Sequence, residues 1–266
     1  MPFKLPASIC FRITRSCNAH CSFCLAPPDG SHPDQAALRF RLDWLIDRGV
    51  RSIQFCGGEP TTHPALPQLI AHVHARGVKT SLCSNALAIT GALLPLLRGT
   101  QTRVRVSLHG NRSHHDAIVG AGCHDLTTHN LRRLLAAGVS TSLQTTVVSG
   151  GSMAVEWTAS FCLEQGVGRL SVLPFIPRGA GKEQRAKFAL SESERRALRD
   201  LVALKRRELS GRLDLRWLDF TAGSIPVVEP DGRLLLEGAT EAMDRLLCII
   251  PDAPSGAQEV GMKRED

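Results

Sequence analysis

The segment Ser8–Cys24, which reads SICFRITRSCNAHCSFC, joins a strand-like run to a loop that carries three cysteines. Its first part, Ser8–Thr14, is rich in β-branched and apolar residues and predicts a buried strand. The thiols of Cys17, Cys21 and Cys24 follow within eight residues, separated by three and then two residues. A short loop of this kind can wrap its sulfurs around one metal centre.

The number of cysteines in this loop bears on the kind of centre that it could hold. A structural zinc site takes four protein ligands, so His20 or a distant cysteine would have to complete one here. Three thiolates on a cubane iron–sulfur cluster instead leave one iron without a protein ligand. An iron with an open position can bind and activate a small molecule, so three cysteines favour a cluster that takes part in chemistry.

Beyond this segment, short strand-like runs alternate with amphipathic helical stretches. Several of the predicted helices are followed by a glycine and then a strand, namely at Gly49, Gly77, Gly138 and Gly166. A glycine in this position is typical of a helix end. This repeat predicts parallel βα units, arranged as an incomplete barrel or an open parallel sheet. The predicted strands are Ser8–Thr14, Ser52–Cys56, Lys79–Cys83, Arg103–Leu108, Ser140–Val148 and Leu170–Phe175. The predicted helices lie near Asp34–Arg48, Ala65–Arg76, Ile89–Leu97, Leu126–Ala137, Met153–Gln165 and Ser191–Leu209.

We assign the fold as α/β, a partial (β/α)6 TIM-type barrel over residues 1–211 with a small α/β extension over residues 212–266. In such folds the chemistry lies at the carboxyl ends of the strands. The extension is expected to form short strands in Leu213–Phe220 and Ile225–Leu236. The turn signal Pro230-Asp231-Gly232 splits the second of these runs into a hairpin.

Length and composition are those of a globular chain, with 266 residues, a mass of 28.8 kDa, 43% hydrophobic residues and 21% charged residues. No apolar run approaches the ~18 residues that a membrane-spanning helix needs. We recognise no signal peptide, so we predict a cytoplasmic protein without a membrane partner. The formal net charge is +7, but acidic residues interrupt the richest basic run, Arg195–Arg216. Tyrosine is absent, and both observations argue against nucleic-acid binding.

A second motif, Gly57-Gly58-Glu59-Pro60, stands at the end of the second predicted strand. Two glycines allow another backbone or a ligand to approach closely, and a carboxylate suits an ammonium partner. The cysteine loop follows the first predicted strand. Both motifs therefore belong to the strand ends where the chemistry of such a fold is expected.

The cysteine loop and this second motif together resemble the signature of the radical SAM superfamily, including the aromatic residue Phe23 before the third cysteine. Relatives often carry Thr-Asn-Gly at the end of the third strand, where this chain has Ser84-Asn85 followed by Ala86. The run Ser107-Leu108-His109-Gly110 ends the fourth predicted strand, and the run His115–Gly122 that follows it also resembles the peptide- and cofactor-modifying branches. The resemblance covers about residues 8–210 of the chain.

The resemblance implies one [4Fe–4S] cluster and S-adenosylmethionine (SAM) as cofactors. It implies that the cluster is ligated by Cys17, Cys21 and Cys24. The amino group of SAM would be held by Gly57, Gly58, Glu59 and Pro60. Candidates for its carboxylate and ribose are Ser84, Asn85 and Ser107, and candidates for packing against its adenine are Phe23 and Leu173.

The resemblance also implies the reaction type. The reduced cluster cleaves SAM to methionine and a 5′-deoxyadenosyl radical, which abstracts a hydrogen atom from a substrate carbon. We expect a small-molecule or peptide substrate in a biosynthetic pathway, with epimerisation, dehydrogenation, cyclisation or rearrangement as the outcome. The electron donor would be a protein such as flavodoxin or ferredoxin.

Two alternatives to this reading remain open. One is an enzyme of cofactor or nucleoside biosynthesis, of the 7-deazaguanine or molybdenum-cofactor type. The other is a metal- or cluster-binding regulatory module without catalysis. A structural metal loop has no need of Gly57-Gly58-Glu59-Pro60 at a neighbouring strand end, so Glu59 distinguishes this second alternative from an enzyme.

Three further residues are candidates for chemistry, each with a simpler alternative. His109 should lie at the substrate side of the strand ends, or it is a packing histidine. Cys248 could donate a hydrogen atom to a product radical, or it packs in an apolar core. Arg178 could clamp a carboxylate or phosphate, or it faces solvent.

The extension resembles a shortened form of the auxiliary domain found in peptide-maturing relatives. The run Glu229–Arg233 is similar to the hairpin turn of that domain. Only Cys162 and Cys248 lie beyond residue 123, however, and auxiliary clusters need many more cysteines in this region. We therefore expect a degenerate auxiliary-type domain without a second cluster.

Overall fold

The computed structural model describes residues 5–220 and 223–253, which form one ten-stranded sheet with helices packed on one face. The strands are β1 (Ser8–Thr14), β2 (Ser52–Gly57), β3 (Lys79–Ser84), β4 (Arg103–Ser107), β5 (Thr141–Val147), β6 (Arg169–Pro174), β7 (Asp214–Trp217), β8 (Ile225–Val228), β9 (Arg233–Glu237) and β10 (Arg245–Ile249). The helices are α1 (Gln35–Asp47), α2 (Leu66–Ala75), α3 (Leu93–Gly99), α4 (Arg112–Val119), α5 (Cys123–Ala136), α6 (Met153–Gln165), α7 (Arg185–Phe188) and α8 (Glu192–Glu208).

The strand order is β10-β9-β8-β1-β2-β3-β4-β5-β6-β7. Strands β1 to β7 are parallel and adjacent in chain order, as the βα repeat predicts. Strand β8 pairs in parallel with β1, and β9 and β10 continue antiparallel from it. The prediction of a partial (β/α)-type barrel is confirmed, and the sheet is not closed, because β7 and β10 are its two edges within the described residues.

The two faces of the parallel strands differ in chemistry. On β1 the alternate residues Ile9, Phe11 and Ile13 are fully buried in the core beneath the helices. Val104 and Val106 do the same on β4. Because successive side chains of a strand point to opposite faces, the residues between them face away from the helices. The hydrophobic core therefore lies on the helix side of the sheet.

The C-terminal strands join the same sheet at both of its edges. β7 pairs with β6, whereas β8 pairs with β1, so the segment after residue 212 reaches both sides of the parallel strands. The hairpin predicted at Pro230-Asp231-Gly232 is present between β8 and β9. Strand β10 was not expected from the sequence, because no turn signal marks its apolar run as a strand separate from buried coil. The division into domains at residues 211 and 212 stays a prediction.

Two of the helices illustrate what local sequence determines. Helix α8 begins at a capping box in which Ser191 and Glu194 bond to each other's backbone, as expected from the sequence. Helix α4 was not predicted, because it has only eight residues and the first five of them are polar. It is capped instead by Asn111, whose side chain accepts a hydrogen bond from the backbone N–H of His114.

Buried arginine–carboxylate pairs connect the parallel strands to the C-terminal hairpin. Arg12 on β1 is paired with Glu229 and Glu237, and all three side chains are less than one-tenth exposed. Burial lowers the pKa of Arg12, but the charges of Glu237 and Glu229 raise it above its ordinary value. Arg178 is paired with Asp244 at 2.6 Å and with Glu237 at 3.4 Å. These pairs attach the hairpin both to β1 and to the segment after β6.

The pairs of Arg12 predict a large effect on stability. In Arg12→Met, Glu229 keeps Arg15 as a partner but Glu237 loses its closest one inside the protein. Removing one partner of a buried ion pair costs about 3–5 kcal/mol, so we expect a fall of that size in the free energy of unfolding, measured by urea denaturation. The matched control is Arg233→Met, whose ion pair with Asp231 is about half-exposed and should contribute about 0–1 kcal/mol. Equal losses in the two variants would contradict this account.

Candidate functional site

The cysteine loop lies over the carboxyl ends of the parallel strands, held from two sides. The backbone N–H of Ser22 donates to the carbonyl of Ile118 in α4 at 3.1 Å. On the other side, the backbone N–H of Ala180, after β6, donates to the carbonyl of Cys24 at 3.0 Å. Within the loop, Cys24 N–H donates to the carbonyl of Cys21 and closes a turn. The fold therefore fixes this loop through elements distant in sequence.

The three thiols of the loop are close enough to influence one another. Burial, then the neighbouring Cys24 and Cys17, raise the pKa of Cys21 to about 12. Burial is also the main reason that the pKa values of Cys17 and Cys24 lie above the ordinary value. Such thiols ionise readily only when a positive charge stands beside them, as a bound metal supplies.

The potential metal ligands of the described residues do not converge on a single ion. Throughout residues 5–220 and 223–253, no three or more His, Cys, Asp or Glu side chains surround one position that could hold a metal ion. Structural zinc needs four ligands converging on one ion. Ligands of a cubane cluster bind separate irons, so their sulfurs need not converge in that way.

The two glycines of the second motif let β2 end against the backbone of β1. A Cβ atom at Gly57 would stand 2.2 Å from the carbonyl oxygen of Thr14, and one at Gly58 would stand 2.1 Å from that of Ser16. The space is taken by two hydrogen bonds, from Gly58 N–H to Thr14 O at 2.8 Å and from Glu59 N–H to Ser16 O at 2.9 Å. No side chain fits at either glycine without moving the start of the cysteine loop.

The carboxylate of Glu59 is buried, with 1% of the residue exposed, and is surrounded by donors. Its Oε1 accepts from the hydroxyls of Thr61 at 2.7 Å and Ser84 at 2.8 Å, and from Thr61 N–H at 3.1 Å. Its Oε2 accepts from the backbone N–H of Asn85 at 2.7 Å. Burial raises the pKa of Glu59 and these hydrogen bonds lower it, with burial the larger effect. The side chain thus joins the ends of β2 and β3.

Asn85 connects this carboxylate to the cysteine loop. Its side-chain N–H donates to the amide oxygen of Asn18 at 2.8 Å, and its own amide oxygen accepts from Leu87 N–H at 2.9 Å. The hydroxyl of Thr127 donates to the Asn85 carbonyl at 2.8 Å. Asn18, Thr61 and Thr127 were not among the residues predicted from the sequence. Thr61 adjoins the glycine motif and could have been included, whereas no pattern indicates the other two.

The structure gives His109 a fixed tautomer. His109 is only 4% exposed, and its Nδ1 accepts a hydrogen bond from the backbone N–H of Thr146 at 3.0 Å. A nitrogen that accepts cannot carry the proton, so the neutral ring holds it on Nε2. Burial, then His115 and His114, lower the pKa of His109 well below its ordinary value. Its ring lies edge-on to Phe23, with centroids 5.0 Å apart, so it is a neutral donor beside the cysteine loop.

The remaining predicted residues lie at the same strand ends. Ser107 ends β4 and is half-buried, and no side-chain hydrogen bond is formed by its hydroxyl with the described residues. Leu173 is 4% exposed on β6 and stands opposite Thr146. Pro60 is buried and begins a short 3-10 turn after Glu59. Eleven of the twelve predicted cofactor and cluster residues thus lie at the ends of the first four strands, and the twelfth, Leu173, is on β6.

Two of the candidates lie elsewhere. Cys248 is on β10 opposite Leu234 and packs against the helix-side core. Burial raises its pKa above the ordinary value, although the charge of Arg48 acts to lower it. The structure does not bring it together with Glu59, because β10 is at the far edge of the sheet. Arg178 neither faces solvent nor is free to clamp a ligand, since its guanidinium is buried and paired with Asp244.

Comparison with known proteins identifies the family. A family model described as the radical SAM superfamily matches residues 11–162, more than half of the chain. The chain is 27% identical over 178 residues to a probable GTP 3′,8-cyclase of Sulfurisphaera tokodaii, covering 64% of this chain and 56% of the relative. It is 32% identical over 142 residues to the mycofactocin maturase MftC of Mycobacterium tuberculosis, covering 50% of this chain and 36% of that protein.

Solved structures show the same fold. SuiB of Streptococcus suis bound to the precursor peptide SuiA superposes with a TM-score of 0.76 at 19% identity, covering 87% of this chain and 59% of SuiB. The structure of anSMEcpe with bound AdoMet and a Cp18Cys peptide gives a TM-score of 0.72 at 16% identity, over 86% of this chain and 73% of that one. The chain spans between about a third and three fifths of the curated relatives named above.

The described residues contain no helix with the length and apolar character required to cross a membrane. This agrees with the sequence, in which no long apolar run is found.

The close contact at Gly58 gives a test of the strand-end geometry. Gly58→Ala should force the Ser16 carbonyl away, and overpacking of this kind costs about 1–3 kcal/mol in the free energy of unfolding. The control is Gly91→Ala, where a Cβ atom meets nothing within 4 Å. Urea denaturation of both variants measures the difference. If Gly58→Ala is as stable as Gly91→Ala, the backbone contact between β1 and β2 is not as described.

Proposed function

The chain belongs to the radical SAM superfamily, and from this premise we propose that it is an enzyme that modifies a peptide or small molecule at the carboxyl ends of β1 to β4. The family uses a [4Fe–4S] cluster and SAM, as the sequence predicts. The observation that carries the proposal is the buried Glu59, whose carboxylate is held by donors from β3 while its backbone is bonded to the start of the cysteine loop.

The donor set of the cysteine loop fits the cluster. Cys17, Cys21 and Cys24 are half-buried. Burial raises the pKa of all three thiols, and neighbouring thiols raise those of Cys17 and Cys21 further, so the three need a cationic partner to ionise. In our proposal they bind three irons, leaving one iron open for SAM. When bound, the reduced cluster and SAM supply a 5′-deoxyadenosyl radical that can take a hydrogen atom from an unactivated carbon.

The residues around the loop would hold SAM. We assign its amino end to the backbone of Gly57 to Pro60, because the Glu59 oxygens already accept four hydrogen bonds from the protein. This makes Ser84 a residue that positions Glu59. The free hydroxyl of Ser107 and the amide of Asn85 are our candidates for the carboxylate and ribose. Phe23 and Leu173 would exclude water around the adenine.

His109 would act as a donor in this site. The Nδ1 atom is occupied by the Thr146 N–H, so the Nε2–H is the group that a cofactor or substrate oxygen can accept from. Because burial disfavours protonation, the ring stays neutral at neutral pH. It therefore orients a ligand and does not supply a mobile proton.

The substrate class rests on the named relatives. SuiB is solved with a precursor peptide and anSMEcpe with a peptide, so a peptide is our first candidate. The similarity to a probable GTP 3′,8-cyclase favours a nucleotide as the second. An electron donor such as flavodoxin or ferredoxin, and a cytoplasmic location, complete the proposal. The extension over residues 212–266 holds one cysteine, Cys248, and we propose that it carries no second cluster.

Cleavage of SAM tests the proposed function. After anaerobic reconstitution with iron and sulfide, the chain should convert SAM to 5′-deoxyadenosine when dithionite is added, measured by chromatography. Changing a residue that only bonds to a metal ligand already costs about 10–100-fold in activity, so Cys21→Ala, which removes a ligand, should lose the cluster absorbance and reduce the nucleoside by at least the upper end of that range. The matched control is Cys162→Ala, since Cys162 is buried in the helix-side core, and its yield should equal that of the unaltered chain. Tight zinc binding with no cluster in the unaltered chain would instead favour the metal-module alternative.

A further inference from the structure

The face of the parallel strands that points away from the helices, called the concave face below, is unusually polar on the first four strands. Barrel interiors of this type are typically filled by branched aliphatic side chains. Here the residues of the first four strands that alternate with the helix-side core are polar or carry thiols, namely Cys10, Arg12, Gln54, Cys56, Ser81, Cys83, Arg103, Arg105 and Ser107. Most of them retain partial exposure. This face is therefore open to solvent or to a polar ligand.

Strand register brings two arginines and two cysteines into one row across this face. Arg12 on β1 stands opposite Cys56 on β2. Cys56 follows Phe55, which pairs with Leu82, so its neighbour on β3 is Cys83. Cys83 in turn stands opposite Arg105 on β4. The row thus begins and ends with a guanidinium group.

The two guanidinium groups differ in their partners. Arg12 is paired with Glu229 and Glu237. Arg105 is half-buried, and its recorded contact is from Nη1 to the sulfur of Cys83 at 4.0 Å. Among the described residues no carboxylate forms an ion pair with Arg105. The carboxylate of Glu59 acts on the neighbouring Cys83, whose pKa it raises. A thiol is a weak acceptor, so no counter-ion among the described residues contacts the charge of Arg105.

Arg105 is also close to the cofactor end of the sheet. It lies two residues before Ser107 on the same face of β4, a separation of about 7 Å along the strand. Opposite Ser107 on β5 is Gln144, another half-buried residue whose side chain forms no hydrogen bond with the described part of the chain. Two neutral polar groups and one cation that pairs with no carboxylate of the described residues therefore face the same space below the proposed SAM site.

We propose that Arg105 binds an oxyanion of the substrate, a carboxylate or a phosphate, and so fixes the reacting carbon beneath the strand ends. A guanidinium presents a fork of N–H donors that matches either group. The proposal rests on the function proposed above, because it requires the substrate to lie on the concave face. It narrows the substrate to an anionic peptide or nucleotide, with Ser107 and Gln144 available for its neutral groups.

Site-resolved arginine modification tests this proposal. The reconstituted full chain is treated with phenylglyoxal, and mass spectrometry follows the modification of Arg105 and of Arg103, which is exposed on the same face. One arm contains inorganic phosphate and the other acetate. Saturating anion should slow modification at Arg105 by about tenfold while Arg103 is unchanged. Protection by phosphate alone indicates a phosphorylated substrate, and protection by acetate indicates a carboxylate. Equal effects at both arginines, or none, would overturn the proposal.

A second measurement separates ligand binding from a structural role. Arg105→Gln removes no ion pair, so its urea midpoint should equal or exceed that of the unaltered chain, whereas Arg178→Gln should be clearly less stable. A large loss of stability in Arg105→Gln would mean that the arginine serves the fold. Formation of 5′-deoxyadenosine by the unaltered chain is recorded alongside. If the nucleoside forms and Arg105 is not protected, this inference alone fails, and if it does not form, the proposed function fails.

Discussion

The burial of one carboxylate at the end of β2 constrains the whole strand-end site. A carboxylate in a buried position is unstable unless donors surround it, and Glu59 has its donors from Thr61 on its own turn and from Ser84 and Asn85 at the end of β3. The same turn must pass so close to β1 that only glycine fits at position 58. The ends of three strands are therefore positioned together, and the cysteine loop starts from them.

A second set of buried charges connects the C-terminal hairpin to the parallel strands. Arg12 and Arg178 share Glu237, so β1, the C-terminal hairpin and the segment after β6 are joined by ion pairs and not by a closed ring of strands. On β1 to β4 the face that points away from the helices carries polar and thiol side chains. Arg105 lies on that face and pairs with no carboxylate of the described residues, and this contrast with Arg12 and Arg178 supports its proposed role in binding.

Much of the fold was predictable because the signals are local. The glycines after four of the helices, the strand-like runs of β1 to β6 and the capping box of α8 each depend on neighbouring residues only. The cysteine loop and glycine motif were predictable as motifs. The roles of Ser84, which bonds Glu59, and Arg178, which bonds Asp244, depend on residues 25 and 66 positions away. Cys248 could not be assigned to the helix side until the register of β10 was known.

The affinity for SAM of a Glu59→Ala variant tests the central claim most directly. The thiols of the cysteine loop bond to none of the Glu59 oxygens, so the account predicts unchanged iron content after reconstitution. The ends of β2 and β3 lose a hydrogen-bonded charge worth about 1.5–3 kcal/mol, so SAM should bind about ten- to a hundredfold more weakly in equilibrium dialysis. Unchanged SAM affinity at full iron content would contradict the claim that Glu59 organises the cofactor site.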